Sequence, residues 1–462
     1  MFASLTERRL ADKGFWMGDG IDLNRLHASQ AEPKHIINPN DMRNAHSFTF
    51  GGSRSGKSRA LLGYLRYGIM SNRDVICFDP KFEKEIFPTM VEAARWAGRE
   101  KDIIYINAVQ PELSMKINPF GEWKVPEEVV EHIVAGIPPS PVPFFSEQAM
   151  KVGLIGIKMD LYFQKQLGVE HPNFPISHLQ EIFSQSWIRE QYNYIKEQAR
   201  ISNDPELKTI VNLASSLTEL SEQKFEEVCS SLTNVLVRLG TGIVRQVIDT
   251  DTPNVLLERL WSGKGVICYI YTGSMIARES AYMVARVMLS MLQSFIGKVY
   301  ASHPLGMLPR TLEIHIDEAS NVFYPGISDM FNKAGGANVW LHCLTQSVAD
   351  IDDKIGENKR QVILDSCASK TFLVCGDPDK TGRYVATQAG RVDGVEVMLR
   401  SGAGLGDSSM VKDKERIILD PSAVTKLKAR QFFAFIRNHG NYIGKFRPIP
   451  GPSLQIAGLR GE

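Results

Sequence analysis

Residues 51–58 read Gly51-Gly52-Ser53-Arg54-Ser55-Gly56-Lys57-Ser58, an unbroken G-x-x-x-x-G-K-[ST] stretch. Just before it, His46-Ser47-Phe48-Thr49-Phe50 alternates polar and apolar side chains as a short strand does. Just after it, Arg59 to Leu65 carries apolar residues at helical spacing. A strand, a glycine-rich turn and a helix, in that order, is the context in which this pattern predicts a phosphate-binding loop. Glycines let successive backbone N–H groups turn inward round an anion, and the helix N-terminus adds a favourable dipole. Lys57 is then placed to reach the outer phosphates, and the Ser58 hydroxyl to ligate magnesium. The eight residues together predict a site for a nucleoside triphosphate with Mg2+.

Outward from this loop, short apolar runs alternate with helical stretches from His46 onward, which predicts a mainly parallel sheet flanked by helices, an α/β fold. The expected strands are Ser47–Phe50, Val75–Asp79, Ile103–Ile106, Val266–Tyr271, Leu312–Asp317, Val339–Thr345, Thr371–Cys375 and Phe432–Ile436. The alternation stops between Asn118-Pro119-Phe120 and about Leu239. There, apolar residues recur at three and four, as in Leu154, Ile155, Ile157, Met159, Leu161 and Phe163. That stretch, 121–239, is expected to be an all-α domain inserted into a nucleotide-binding domain made of 46–120 and 240–447. Residues 1–45, polar and broken by glycine and proline, are expected to be irregular, and 448–462 a flexible tail.

Composition narrows the partners less than the motifs do. In 462 residues, 53 Lys and Arg face 52 Asp and Glu, so a nucleic-acid partner would need a local basic lining. The six cysteines, Cys77, Cys229, Cys268, Cys343, Cys367 and Cys375, form no C-x-x-C pair, and most lie in apolar runs. Such spacing predicts buried reduced thiols in a cytosolic compartment rather than zinc ligands or disulfides. The longest apolar stretch, 281–299, is interrupted by Arg286, Gln293 and Lys298, so it reads as a core helix rather than a membrane span.

Two further stretches complete a phosphoryl-transfer site. Leu312-Glu313-Ile314-His315-Ile316-Asp317-Glu318 is a strand ending in adjacent acids. Ligand sites in parallel sheets lie at the carboxyl ends of strands, so Asp317 is expected beside the phosphate loop as a magnesium-holding acid. Glu318 is then placed to orient and deprotonate the attacking water. Gln346 follows the next strand, where its amide would bond the terminal phosphate or the water. The second strand ends in Asp79-Pro80-Lys81, either a strand-ending turn or the rim of the same site. Arg360 and Arg383 follow the Gln346 strand and are candidates for a positive charge supplied to a neighbouring subunit.

With these residues in view, the chain resembles the type IV coupling ATPases of bacterial conjugation, the TraG/TraD group, and is most similar to the TraD-like coupling factors of integrative conjugative elements. The likeness rests on Lys13-Gly14-Phe15-Trp16, Gly51–Ser58, Asp79-Pro80-Lys81, Gly98-Arg99-Glu100 and Ile117-Asn118-Pro119-Phe120. It continues through Ile316-Asp317-Glu318-Ala319, Thr345-Gln346-Ser347 and Thr381-Gly382-Arg383-Tyr384-Val385-Ala386, all in the family's order. The resemblance implies a RecA-like motor domain carrying the inserted helices, and a homo-hexameric ring that hydrolyses ATP between subunits. The ring would hand a relaxase-bound single DNA strand to a type IV secretion channel, from the cytoplasmic face of the bacterial inner membrane. Two departures stand out. Members of the family usually begin with transmembrane helices, so membrane association is expected only through a segment absent from this chain. Where the family carries an arginine that acts on the neighbour's nucleotide, this chain has Gly335, with Lys333 nearby. Two other readings compete: a motor of the FtsK or HerA kind on double-stranded DNA, and a docking platform that binds ATP but hydrolyses it slowly.

Overall fold

The structure, a computed structural model, describes residues 5–26, 31–40, 46–139, 144–402 and 405–454. Eleven strands form one sheet: β1 Gly14–Asp22, β2 Lys34–Pro39, β3 Ser47–Phe50, β4 Asp74–Asp79, β5 Ile103–Asn107, β6 Ile267–Tyr271, β7 Leu312–Ile316, β8 Val339–Thr345, β9 Ser369–Phe372, β12 Gln431–Ile436 and β13 Gly440–Phe446. Two more, β10 Arg391–Gly402 and β11 Leu405–Ile417, pair only with each other as an antiparallel ribbon. In space the sheet runs β2-β1-β13-β12-β9-β3-β8-β7-β4-β6-β5. From β9 to β5 every pairing is parallel, and from β2 to β9 every pairing is antiparallel.

The parallel strands are apolar throughout because both faces are covered. In β4, Val75 and Cys77 pack on one face with the helix Lys57–Met70, while Ile76 and Phe78 pack on the other. The second face shares a continuous hydrophobic core with the helices between β5 and β6. Residues 126–239 hold the helices Pro126–Gly136, Phe144–Gln166, Ile176–Ile182, Gln185–Ser202, Pro205–Thr218 and Glu222–Leu239, with no strand among the described residues. Their starts are written locally. Ser184, Asp204 and Ser221 accept backbone N–H bonds from the first turns of the helices that follow them. Pro126 opens its helix while the Glu128 carboxylate accepts from the Lys124 and Val125 amides. This group is tied to the long helix Arg278–Ser302, where Arg286 donates to the carbonyls of Gly136 at 2.8 Å and Asn321 at 3.3 Å.

The antiparallel wing corrects the expectation that residues 1–45 are irregular. Phe15 and Met17 are buried on one face of β1, and Ile36 on β2. Glycines hid this strand from a reading by propensity. A Cβ at Gly18 would lie 2.0 Å from the Lys445 carbonyl oxygen, and one at Gly20 would lie 2.2 Å from that of Ile443. Close backbone approach across β13 therefore requires them. Strands β10, β11 and β13 were also unanticipated, and β9 begins two residues before the expected Thr371. Part of the expected flexible tail is packed: Ile449 is buried, and Ser453 donates its amide to Glu92 at 3.1 Å. The remainder, 455–462, lies outside the described residues, as do 1–4, 27–30 and 41–45 of the N-terminal segment. All six cysteines are buried and unpaired, as their setting in apolar runs predicts.

Two buried polar clusters brace the sheet away from the ligand end. Arg99, just after the helix Ile86–Ala97, donates to Asp102 at 2.8 Å, to the Arg73 carbonyl at 2.6 Å and to Asp74 at 3.4 Å. This gives Gly98-Arg99-Glu100 a structural reason. Glu313 on β7 is buried beneath the helix Lys57–Met70, where it pairs with Arg73 and accepts from His315 at 3.2 Å. Burial works against its charge, but Arg73 prevails and holds its carboxyl well below the usual range, helped by His315 and His342. Gly68 on the helix makes room for it, since a Cβ there would sit 2.2 Å from Glu313 Oε2. Gly68→Ala is expected to lower stability by about 1–3 kcal/mol through this overpacking, beyond the roughly 1 kcal/mol gained in helix propensity. A urea midpoint shifted downward at constant m is the expected result; an unchanged or higher midpoint contradicts the close packing.

Candidate active site

The phosphate loop sits between two neighbours of its own strand. β3 pairs with β8 on one side and β9 on the other, so residues 51–56 leave the sheet's carboxyl edge flanked by the exits of both strands. The Gly51 amide donates to the carbonyls of Thr345 and Gln346, each at 3.1 Å, and the Gly52 amide to Val374 at 2.8 Å. Arg54 takes a left-handed backbone, φ 59°, and Gly56 reaches φ 110°, a region that favours glycine. Gly56 immediately precedes the helix Lys57–Met70, whose first turn has no side-chain cap. Its amides are left to face an anion.

A cavity of about 400 Å³ opens over this loop. Gly52, Ser53, Arg54, Ser55, Gly56, Lys57 and Ser58 line it together with Asp317, Glu318 and Gln346. Of the eight loop residues, only Gly51 lies behind the wall, buried and bonded to the β8 exit; Lys81 also lines the cavity, whereas Asp79 does not. Lys57 Nζ folds onto the loop itself, donating to the carbonyls of Gly51 and, at 3.2 Å, Gly52. Burial lowers this lysine from its ordinary range, with Glu318 and Asp317 opposing the shift.

Asp317 and Glu318 arrive from the end of β7, next to β8. The Asp317 amide bonds the Phe78 carbonyl at 3.1 Å, and the Ser320 and Thr345 hydroxyls meet at 2.9 Å, which fixes the two strand exits together. Burial, then the neighbouring Glu318 and Asp79, push the Asp317 carboxyl up to about 7. Glu318 is buried and takes a left-handed backbone, φ 50°. A non-glycine residue in that region stores strain of roughly 1–3 kcal/mol, which commonly marks a functional position. Its carboxylate pairs with Lys81 at 2.5 Å. Gln346 is exposed at the end of β8, and its loop is braced by Thr381, whose hydroxyl accepts from the Val348 amide at 2.9 Å.

The oxygen donors fit magnesium. A serine hydroxyl at a helix start and a partly buried carboxylate crowded by two more acids are hard ligands in a place that favours a divalent cation. The buried Ser55 hydroxyl has no hydrogen-bond partner, which also leaves polar capacity within the loop.

Outside this cavity the arginine candidates divide. Arg360 is buried and held by Asp352 and Glu357, each at 2.9 Å, so it is committed within its own chain. Arg383 is 74% exposed and reaches Asp379 only at 3.6 Å. Gly335 lies in the short turn Ala334–Ala337 before β8, the opposite end of that strand from Gln346. Lys333 beside it is exposed, with Asp329 at 3.7 Å. Other contributors were not anticipated: Arg59 and Glu83 also line the cavity, and Arg430 backs the loop, donating its amide to the Ser55 carbonyl at 3.3 Å. Arg59 follows the motif directly, but nothing local in the sequence relates Arg430 to residues so far upstream.

Comparison with known proteins gives two kinds of similarity. The sequence model of a family described as "TraM recognition site of TraD and TraG" matches residues 311–429. Among solved structures, the unbound monoclinic form of the bacterial conjugative coupling protein TrwBdeltaN70 aligns with a TM-score of 0.63 at 14% identity, covering 96% of each chain. The plasmid coupling protein TrwB in complex with ADP and Mg2+ aligns with a TM-score of 0.61, again at 14% identity and 96% of each chain. VirB4 of Thermoanaerobacter pseudethanolicus aligns at 0.53 and 14% identity, over 95% of this chain and 97% of its own. No curated protein matches by sequence. The RecA-like architecture implied by the resemblance is the one the chain has, and over residues 311–429 the family match agrees with the TraG/TraD likeness read from the motifs.

Proposed function

We propose that this chain, as a type IV coupling protein of the TraG/TraD group, is an ATPase that drives DNA from a relaxase-bound substrate toward a type IV secretion channel. The observation that carries the reading is the single cavity into which the phosphate loop, Asp317, Glu318 and Gln346 converge from three strand ends. In this reading the loop amides and Lys57 hold the outer phosphates of ATP. Ser58 and Asp317 hold Mg2+, which when bound supplies positive charge against the phosphate oxygens. Glu318 takes the proton of the attacking water, and Gln346 orients that water or the terminal phosphate.

Ring assembly extends the proposal. Arg383 is an exposed cation beyond the Gln346 loop, available to a neighbouring subunit in a homo-hexamer. Single-stranded DNA would be held by backbone charge and stacking rather than base readout. The working place is the cytoplasmic face of the inner membrane; no helix among the described residues is long and apolar enough to cross a membrane. The helices within 121–239, proposed as an inserted domain, are assigned to cargo or relaxosome contact because the cavity draws no residue from them.

Turnover measured with and without DNA tests the function. Hydrolysis stimulated several-fold by single-stranded DNA, with inorganic phosphate release as the readout, is the expected result. Stronger stimulation by duplex would replace it with the double-stranded motor. Binding of ATP with slow turnover that ignores DNA would replace it with the docking platform, the reading that Gly335 favours.

A further inference from the structure

The turn that ends β4 is built more firmly than a strand exit requires. The buried Asp79 carboxylate accepts from the backbone amides of Lys81 at 3.0 Å, Phe82 at 2.9 Å and Glu83 at 2.7 Å, and from the Tyr269 hydroxyl at 2.7 Å. The Pro80 carbonyl accepts from the Ser274 amide at 2.6 Å, and Phe82 is held at φ 64°. These bonds fix the backbone that carries Lys81 at the cavity wall, and its ammonium crosses to Glu318 Oε1. Only 8% of the Glu318 side chain is exposed, whereas 42% of the Lys81 side chain is. The lysine is therefore the partner with room to move. It faces the same space as Lys57, Ser58 and Gln346.

A carboxylate occupied by an ammonium is poorly placed to take a proton from water. The terminal phosphate of a nucleoside triphosphate carries more negative charge than one carboxylate and competes for the same ammonium. From this we infer that Lys81 is a positioning residue that changes partner: it holds Glu318 while no terminal phosphate is present, and moves to that phosphate when a triphosphate binds, freeing Glu318. This rests on the nucleotide-site reading above. In the freed state a water oxygen bonds the γ-phosphorus and the bond from that phosphorus to the β–γ bridging oxygen breaks. The water's proton goes to Glu318 and then to solvent, leaving the nucleoside diphosphate and inorganic phosphate. With the γ-phosphate gone, Lys81 returns to Glu318, so base activity is confined to the triphosphate state.

Equilibrium binding of ADP and of a non-hydrolysable ATP analogue, each with Mg2+, tests this without relying on turnover. Lys81→Met is expected to weaken the analogue about tenfold while leaving ADP within about twofold, because one charge-assisted bond is lost only in the triphosphate complex. Lys81→Arg is expected to restore most of the difference. Glu318→Gln removes the competing anion and is expected to tighten the analogue roughly threefold, a gain absent when Lys81→Met is also present. Equal losses for both nucleotides, or no loss for either, would overturn the partner change, as would a Glu318→Gln gain that survives in the double variant. A wild-type chain that binds neither nucleotide would instead refute the site reading itself. ADP affinity also serves as the control that each variant is folded.

Discussion

Lys57→Ala is expected to lower ATP turnover by about 10²–10³-fold, since it deletes the motif cation placed to reach the outer phosphates. The lysine occupies the mouth of the loop, with its Nζ resting on the carbonyls of Gly51 and Gly52. In that posture the ammonium shields two carbonyl dipoles that would otherwise face an incoming anion. With ATP present it is expected to swing outward to the β- and γ-phosphates. Alanine removes both roles, so affinity for the triphosphate should fall together with kcat. The fold should survive, because the loop is anchored through the Gly51 and Gly52 amides rather than through this side chain. Phosphate release under saturating ATP, with far-ultraviolet circular dichroism as the folding control, measures the effect. Turnover within about threefold of wild type would mean that the cavity is not where ATP is hydrolysed.

Glu318→Gln separates binding from chemistry. Removing a positioned general base costs about 10²–10⁴-fold in rate. Glutamine keeps the length and shape of the side chain and the same strained backbone at φ 50°, but its amide cannot accept the water's proton. ATP binding should persist while hydrolysis is nearly lost, and a single-turnover experiment with pre-bound ATP would isolate the chemical step. Normal hydrolysis by this variant would place the base elsewhere. Asp317 and Glu83 are the other carboxylates among the described residues of the cavity wall, and Asp317 is the one that burial, Glu318 and Asp79 push upward.

How much of this was legible in the chain follows from the range of the interactions. The seven parallel strands from β9 to β5 were readable because each is covered on both faces, and a continuous apolar run needs no knowledge of its neighbours. Of the antiparallel wing, only β12 was, as the expected strand Phe432–Ile436. β1 carries glycines at 18 and 20 only because β13 passes close behind it, from the far end of the chain. The ribbon β10–β11 is satisfied by pairing with itself and carries no such run. Arg360 shows the same limit from the functional side. Its position after the Gln346 strand was suggestive, and only its burial against Asp352 and Glu357 withdraws it.

The eight residues 51–58 by themselves predicted a phosphate ligand, because every group in that loop is contiguous and its geometry is local. The acids at 317 and 318 and the amide at 346 were nameable as the polar ends of apolar strands. What the tertiary structure alone decided was the pairing made among them, Lys81 with Glu318. Strand order places β8 beside the phosphate-loop strand and β7 next after it, and the following exit, at β4, delivers Lys81 onto Glu318. Strand order is set by how buried faces and crossover helices pack over the whole sheet, a long-range balance that no window of sequence contains.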